Sequence, residues 1–277
     1  IQDYFVRIEF QARGSPHAHM LLWVKDAPEI DKASDEEVIR FIDSHTTCKL
    51  PYELELRELV MKLQTHSHSS SCRRNGVCRF SFPLPPSKRT IIAKVPLGDD
   101  AEEEKEKSKR ILKKMTLVLN NKDYDSSTSF KDTLALADLQ DDDYHNALGI
   151  CKTGRKIIIR RSLQETFVND YNAQILKIWR ANMDLQYIVD PYSCVMYVAS
   201  YVLKSEKAMS ETLKAAAKEV ERKSIKEQLK KVGTCFLSHR EVSAQEAFYR
   251  LLSIPMKKSS RSVVYVRSEE RRVGKEC

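Results

Sequence analysis

Two β-forming runs separated by a glycine-and-proline turn stand near the start of this 277-residue chain, and they constrain its architecture most. Tyr4-Phe-Val-Arg-Ile-Glu-Phe10 is β-branched and aromatic, and its second half alternates with the period of two that a strand requires. His17-Ala-His-Met-Leu-Leu-Trp-Val24 is a second run rich in aromatic and aliphatic side chains. Ala12-Arg-Gly-Ser-Pro16 lies between them, and this order predicts a hairpin. Strand geometry then sets His17 and His19 on one face, ~7 Å apart at their Cα atoms. Glu9 and Gln11 fall on the face opposite Ile8 and Phe10, and a short turn brings them beside the histidines. Two imidazoles on one face form a clamp for a divalent metal, with Glu9 or Gln11 as third ligand. Two ordinary histidines of a strand show the same spacing.

The remainder reads mainly as helix. Apolar spacing or charge pattern predicts helices over 34–44, 52–65, 101–120, 172–184, 192–204, 207–232 and 239–253, the last opened by the capping box Ser243-Ala-Gln-Glu246. Lys156–Arg161 reads as a strand with basic ends, and the acidic stretch Asp141–Tyr144 as an exposed loop. The fold class expected is α+β: an antiparallel sheet carrying the histidine pair, packed with helices. With 42% hydrophobic residues the chain can bury a core, which excludes wholesale disorder. No run approaches the ~20 apolar residues of a membrane span, and the first residues lack the form of a signal peptide. The net charge of +8 suits a polyanionic partner, as it suits solvated helix faces. Lys152-Thr-Gly-Arg-Lys-Ile lacks the glycine spacing of a P-loop, so no nucleotide-hydrolysing site is expected.

Seven cysteines at irregular spacing argue against a disulfide framework. Cys151, Cys194 and Cys235 read as ordinary buried thiols. His66-Ser-His68-Ser-Ser-Ser-Cys72-Arg-Arg-Asn-Gly-Val-Cys78 is different, packing four metal-ligand side chains into 13 residues. Thiolate sulfur with imidazole nitrogen suits tetrahedral Zn²⁺, although this is no standard finger spacing, and Cys48 or His45 could replace one histidine. Arg73, Arg74, Arg79, Lys88 and Arg89 make the same region basic, fit to face DNA.

Tyr197 and Tyr201 stand four apart in a helical pattern, and Lys204 joins their face. A phenol with a pKa near ~10 is a poor nucleophile unless a metal or cation assists it. A lysine on that face could stabilise the phenolate or a developing phosphate charge. Half-buried aromatic residues of an amphipathic helix follow the same spacing.

Glu9-Phe-Gln-Ala-Arg-Gly-Ser-Pro-His-Ala-His19 closely resembles the signature of the Helitron rolling-circle transposases, whose N-terminal nuclease domain belongs to the HUH endonucleases. Tyr197-Val-Ala-Ser-Tyr201 resembles the paired-tyrosine motif of that family, in the expected order, and Ala181-Asn-Met-Asp-Leu-Gln186 before it also looks like family sequence. The segment His66–Pro83 is similar to the family's zinc-finger-like region. The resemblance covers 3–205 in patches and extends more weakly through 245–266. It implies that His17 and His19 hold Mg²⁺ or Mn²⁺ with Glu9, or Gln11 as the alternative. It further implies that Tyr197 or Tyr201 attacks single-stranded DNA at transposon ends and targets. His66, His68, Cys72 and Cys78 are the zinc set it implies. The expected organisation is an endonuclease domain over 1–205 with a zinc-finger-like insertion at 45–90, a helical region over 206–265, and a tail at 266–277 resembling a sequence scar. The chain then reads as a nuclear protein fragment, cut from a longer chain with a C-terminal helicase.

Overall fold

The structure, a computed structural model, describes residues 1–10, 14–74, 77–121, 128–192, 194, 197, 227 and 243–262. It is mixed α+β with small antiparallel sheets. In chain order come strands β1 (Asp3–Phe10) and β2 (Pro16–Trp23), helices α1 (Asp35–His45) and α2 (Leu54–Leu59), and a π-helical turn Val60–Gln64. Strands β3 (Arg73–Arg74), β4 (Val77–Cys78) and β5 (Ile91–Lys94) lead to helices α3 (Ala101–Asn121), α4 (Phe130–Leu136) and α5 (Asp141–Leu148). Strand β6 (Arg155–Ile158), helices α6 (Ala173–Trp179) and α7 (Ala244–Leu251), and strand β7 (Lys257–Ser259) complete the described elements. They form two compact units: Ile1–Ala27 with Tyr192–Cys277, and Pro28–Pro191. The first unit joins distant parts of the sequence, because the N-terminal hairpin completes its sheet with a strand from far along the chain.

In the first unit the strand order is β2-β1-β7. β1 and β2 pair antiparallel from Asp3↔Trp23 to Phe10↔Pro16, so the expected hairpin forms. Gly14 serves its connection with φ +79°, a conformation only glycine adopts without strain. An added Cβ there would lie 2.0 Å from Oε1 of Gln245, whose flexible side chain would have to swing aside, so the backbone angle is the main bar to a side chain. β1 turns Tyr4, Val6, Ile8 and Phe10 to one face, where Phe10 meets Tyr249 of α7 edge to face at 5.0 Å. α7 starts at Ser243, whose hydroxyl accepts from the Glu246 N–H.

The second unit has two apolar cores divided by the β5–β6 ribbon. Ile92 and Ile159 are buried among Val38 and Ile42 of α1, Leu56 and Leu59 of α2, Val60, Val168, Tyr171 and Leu176. Ile91 and Ile158 pack instead against Met115 and Leu119 of α3, Leu134 of α4, and Tyr144 and Leu148 of α5. Strand alternation explains the split: successive isoleucines point to opposite faces, and a ribbon covered on both sides reads as a continuous apolar run. Each buried isoleucine contributes roughly 1.5–3 kcal/mol.

Local signals explain the helix starts. Ser34 accepts from Glu37 N–H while the Glu37 carboxylate accepts from Ser34 N–H, a complete capping box on α1. The acidic run Asp141–Asp143 is the first turn of α5 and no exposed loop, because carboxylates are favoured at the positive end of the helix dipole. The helix expected over 172–184 stops at Trp179, where Arg180 turns left-handed at φ 49°. The helix expected over 52–65 changes pitch to the π turn at Val60. The segment 207–232 lies outside the described residues apart from residue 227, as do Gln11, Tyr201, Lys204 and Cys235. Cys151 and Cys194 are half-buried, short of the full burial expected.

Candidate functional site

His66, His68, Cys72 and Cys78 come together in the second unit, with their ligand atoms all within 4.8 Å of one another. His66 Nε2 lies 3.2 Å from His68 Nδ1. Cys72 Sγ is 3.5 Å from His68 Nδ1, and Cys78 Sγ is 3.5 Å from His66 Nε2. A tetrahedron with Zn–N near 2.0–2.1 Å and Zn–S near 2.3 Å has edges of about 3.3–3.4 Å for N···N and about 3.5–3.6 Å for N···S. These three edges lie close to it, and two thiolates would neutralise a divalent ion. This donor set fits Zn²⁺ in number and chemistry, and in those three edges. Cys48 and His45 take no part. Cys48 is wholly buried with its thiol on the Arg160 carbonyl, and burial pushes that thiol up to about 12. His45 stacks on Phe41 at the end of α1.

Backbone pairing builds the cage. Thr65 bridges Val168, and His66 N–H donates to the Phe167 carbonyl at 2.8 Å, which pins His66 to the core. β3 and β4 pair Arg73 with Cys78, bringing the second cysteine back beside the first. Arg79 N–H closes the turn onto the Cys72 carbonyl at 2.8 Å. The Ser69 N–H donates to Cys72 Sγ at 3.2 Å; this bond first, and Cys78 beside it, hold the Cys72 thiol below its ordinary value against the opposing effect of burial. Burial, and then the neighbouring His68, lower the His66 imidazole, so both groups lean toward the unprotonated form a metal needs.

An aromatic wall surrounds the imidazoles. Phe82 stacks on His66 at 4.5 Å, and Phe167 meets His68 edge-on at 5.6 Å. Phe80 and Phe82, with Phe167 from far along the chain, supply the wall that ligand spacing does not disclose; Phe82, four residues after Cys78, was the available clue. Beside it the tip is basic and aromatic. Arg79 lies over the Phe80 ring at 4.5 Å, and Phe80 is 51% exposed. Among the described residues neither Arg73 nor Arg79 makes an ion pair. Lys88 differs from the expected open surface, since it pairs with Asp141 and sits over Phe130.

The hairpin carries the other group. Glu9 stands opposite His17 in the β1–β2 register, and Arg7 opposite His19. Glu9, His17 and His19 therefore share one face, as the spacing predicts. Glu9 Oε2 lies 2.7 Å from His19 Nε2, with both side chains about one-quarter exposed, while His17 is exposed. Among the described residues these donors do not converge as those of the His/Cys cage do. Tyr197 stands in helical backbone and is 52% exposed.

Comparison with known proteins adds nothing to the geometry: no family model, curated protein or solved structure matches this chain. Among the described residues no helix is long and apolar enough to cross a membrane.

Proposed function

We propose that this chain is the nuclease portion of a Helitron-like rolling-circle transposase, a metal-dependent endonuclease and strand transferase acting on single-stranded DNA. The observation that carries the reading is the shared face of Glu9, His17 and His19, with Glu9 in register with one histidine and in contact with the other. His17, His19 and Glu9, with Gln11 as alternative, would hold Mg²⁺ or Mn²⁺, which supplies Lewis-acid polarisation of a phosphodiester when bound. The hydroxyl of Tyr197 or Tyr201 attacks phosphorus, forming a 5′-phosphotyrosine bond as the P–O3′ bond breaks. The phenolic proton leaves to solvent, the departing 3′ oxygen takes up a proton, and Lys204 balances charge that develops on the phosphate. The second tyrosine permits a second transfer. A helicase domain in the same full-length protein would supply the displaced single strand.

The test is cleavage of a labelled single-stranded oligonucleotide with added Mn²⁺. His17→Ala with His19→Ala is expected to abolish cutting while the melting temperature holds. Cutting at the parental rate in that variant would sink the clamp.

A second reading rests on a separate observation. The His/Cys cage with its Arg79–Phe80 tip suits a zinc-containing DNA-binding module that no longer cleaves, since an exposed ring offers a base a stacking partner and arginine meets the backbone. Binding without cleavage under the same conditions would favour it.

A further inference from the structure

The face that carries the histidines also carries cations that the motif does not contain. β7 adds to the free edge of β1 with Arg7 opposite Lys257. Since Arg7 is also opposite His19, one row across the three strands reads His19, Arg7, Lys257. Lys257 Nζ lies 5.8 Å from the centre of the Phe5 ring, and Phe5 shares the face of Arg7 and Glu9, so the lysine side chain is on that face too. Both cations are exposed. Among the described residues neither makes an ion pair: Glu9 is taken by His19, and Asp3, on the same face, is taken by Arg261.

Such an arrangement works against the sheet. Directly opposed residues have Cβ atoms roughly 4.5–5.5 Å apart, and like charges there are destabilising. Arg7 and Lys257, directly opposed and each without a carboxylate among the described residues, leave a repulsion that an anion between them would relieve. A polyanion is the ligand class that offers such charge next to the histidine pair.

We propose that Arg7 and Lys257 form a phosphodiester-binding subsite that seats the backbone of single-stranded nucleic acid beside His17 and His19. This rests on the nuclease reading only for the role of the neighbouring histidines; the binding itself needs no cleavage. Arg7 and Lys257 are binding residues that position the strand. Lys258 supplies an internal control, because it pairs with Val6 and points to the opposite face.

The experiment measures binding of the full chain to a fluorescent single-stranded oligonucleotide over a series of chloride concentrations, without added Mg²⁺ or Mn²⁺. For single strands the slope of log K against log salt changes by about 0.7 for each phosphate contact. Arg7→Gln with Lys257→Gln should therefore flatten the slope by about 1.4, a loss of roughly 25-fold in affinity at 0.1 M salt relative to 1 M. Lys258→Gln should leave slope and affinity at the parental values. Lys257→Glu places a carboxylate opposite Arg7, so it should raise the melting temperature while binding falls. An unchanged slope in the double variant, an equal loss in Lys258→Gln, or a lower melting temperature in Lys257→Glu overturns the proposal. Displacement of the oligonucleotide by inorganic phosphate beyond that by chloride at equal ionic strength also overturns it, in favour of a free-phosphate site. Failure of cleavage with the slope change intact rejects the nuclease reading alone; cleavage with an unchanged slope rejects the subsite alone.

Discussion

Removing one thiolate from the His/Cys cage is the perturbation whose size the structure fixes best. A metal held by His66, His68, Cys72 and Cys78 cross-links a 13-residue span. Treated as a loop-closing link, as for a disulfide, a span of that length is worth roughly 3 kcal/mol against the unfolded chain. Cys72→Ser keeps the size of a buried side chain, 2% exposed, and takes away one of two thiolates, so loss of the metal and with it of the link dominates over any cavity. A unit of this size shifts by roughly 2–4 °C per kcal/mol, which places the loss in melting temperature at roughly 6–12 °C. Calorimetry of parent and variant, each with and without a strong zinc chelator, forms a complete cycle. The parent should contain one zinc per chain by elemental analysis and lose stability with chelator; Cys72→Ser should melt low from the start, and chelator should add nothing further. A parent without zinc, or a variant that chelator destabilises as much as the parent, would refute the cage.

Two further outcomes follow from single sites. Arg161 is almost wholly buried in its side chain and bonds Asp170 at 2.6 Å while donating to the Glu165 and Val168 carbonyls. Asp170→Ala leaves that guanidinium without its counter-charge and should cost about 3–5 kcal/mol in denaturant unfolding; a loss below 1 kcal/mol would show the pair to be dispensable. Burial, partly offset by Arg161, holds the Asp170 carboxyl above its ordinary 3.8. A raised carboxyl means the folded state keeps its proton longer, so this group's stabilising contribution is complete below 3.8 and is lost as pH rises through the folded value. Asp170→Asn should remove that decline, which stability measured between pH 3.5 and pH 7 would reveal. Gly14→Ala places a side chain at a strained φ and makes the Gln245 amide swing aside, and should destabilise by about 1–3 kcal/mol, chiefly through φ. Adding Gln245→Ala should recover the clash but leave the backbone strain; full recovery would remove φ from the account.

Much of the hairpin was legible because period-two patterning and a Gly-Ser-Pro turn leave one simple register, and that register fixes the face of Glu9, His17 and His19. The cage was legible as a cluster, since four ligand side chains in one short loop are rarely idle; their geometry was not, because it depends on pairing with residues 161–168, a hundred positions away. The edge strand Lys257–Ser259 has no β pattern of its own. It is ordered by the exposed edge of β1, a tertiary effect that no local window carries. The α5 start illustrates the opposite error: Asp141–Asp143 looks like loop composition until the spacing of Tyr144, Ala147 and Leu148 is read with it. Likewise α6 ends where Arg180 turns left-handed, a choice that Arg-Ala-Asn does not announce.

The proposed function requires covalent chemistry by the tyrosine pair at a histidine-bound metal. Incubation with a 5′-labelled and a 3′-labelled single-stranded oligonucleotide and Mn²⁺, followed by denaturing electrophoresis, reads it directly. The account predicts a denaturation-resistant adduct carrying the 3′ label, lost in Tyr197→Phe with Tyr201→Phe and in His17→Ala with His19→Ala. An adduct of undiminished yield in the double tyrosine variant, or one that carries the 5′ label, would contradict it.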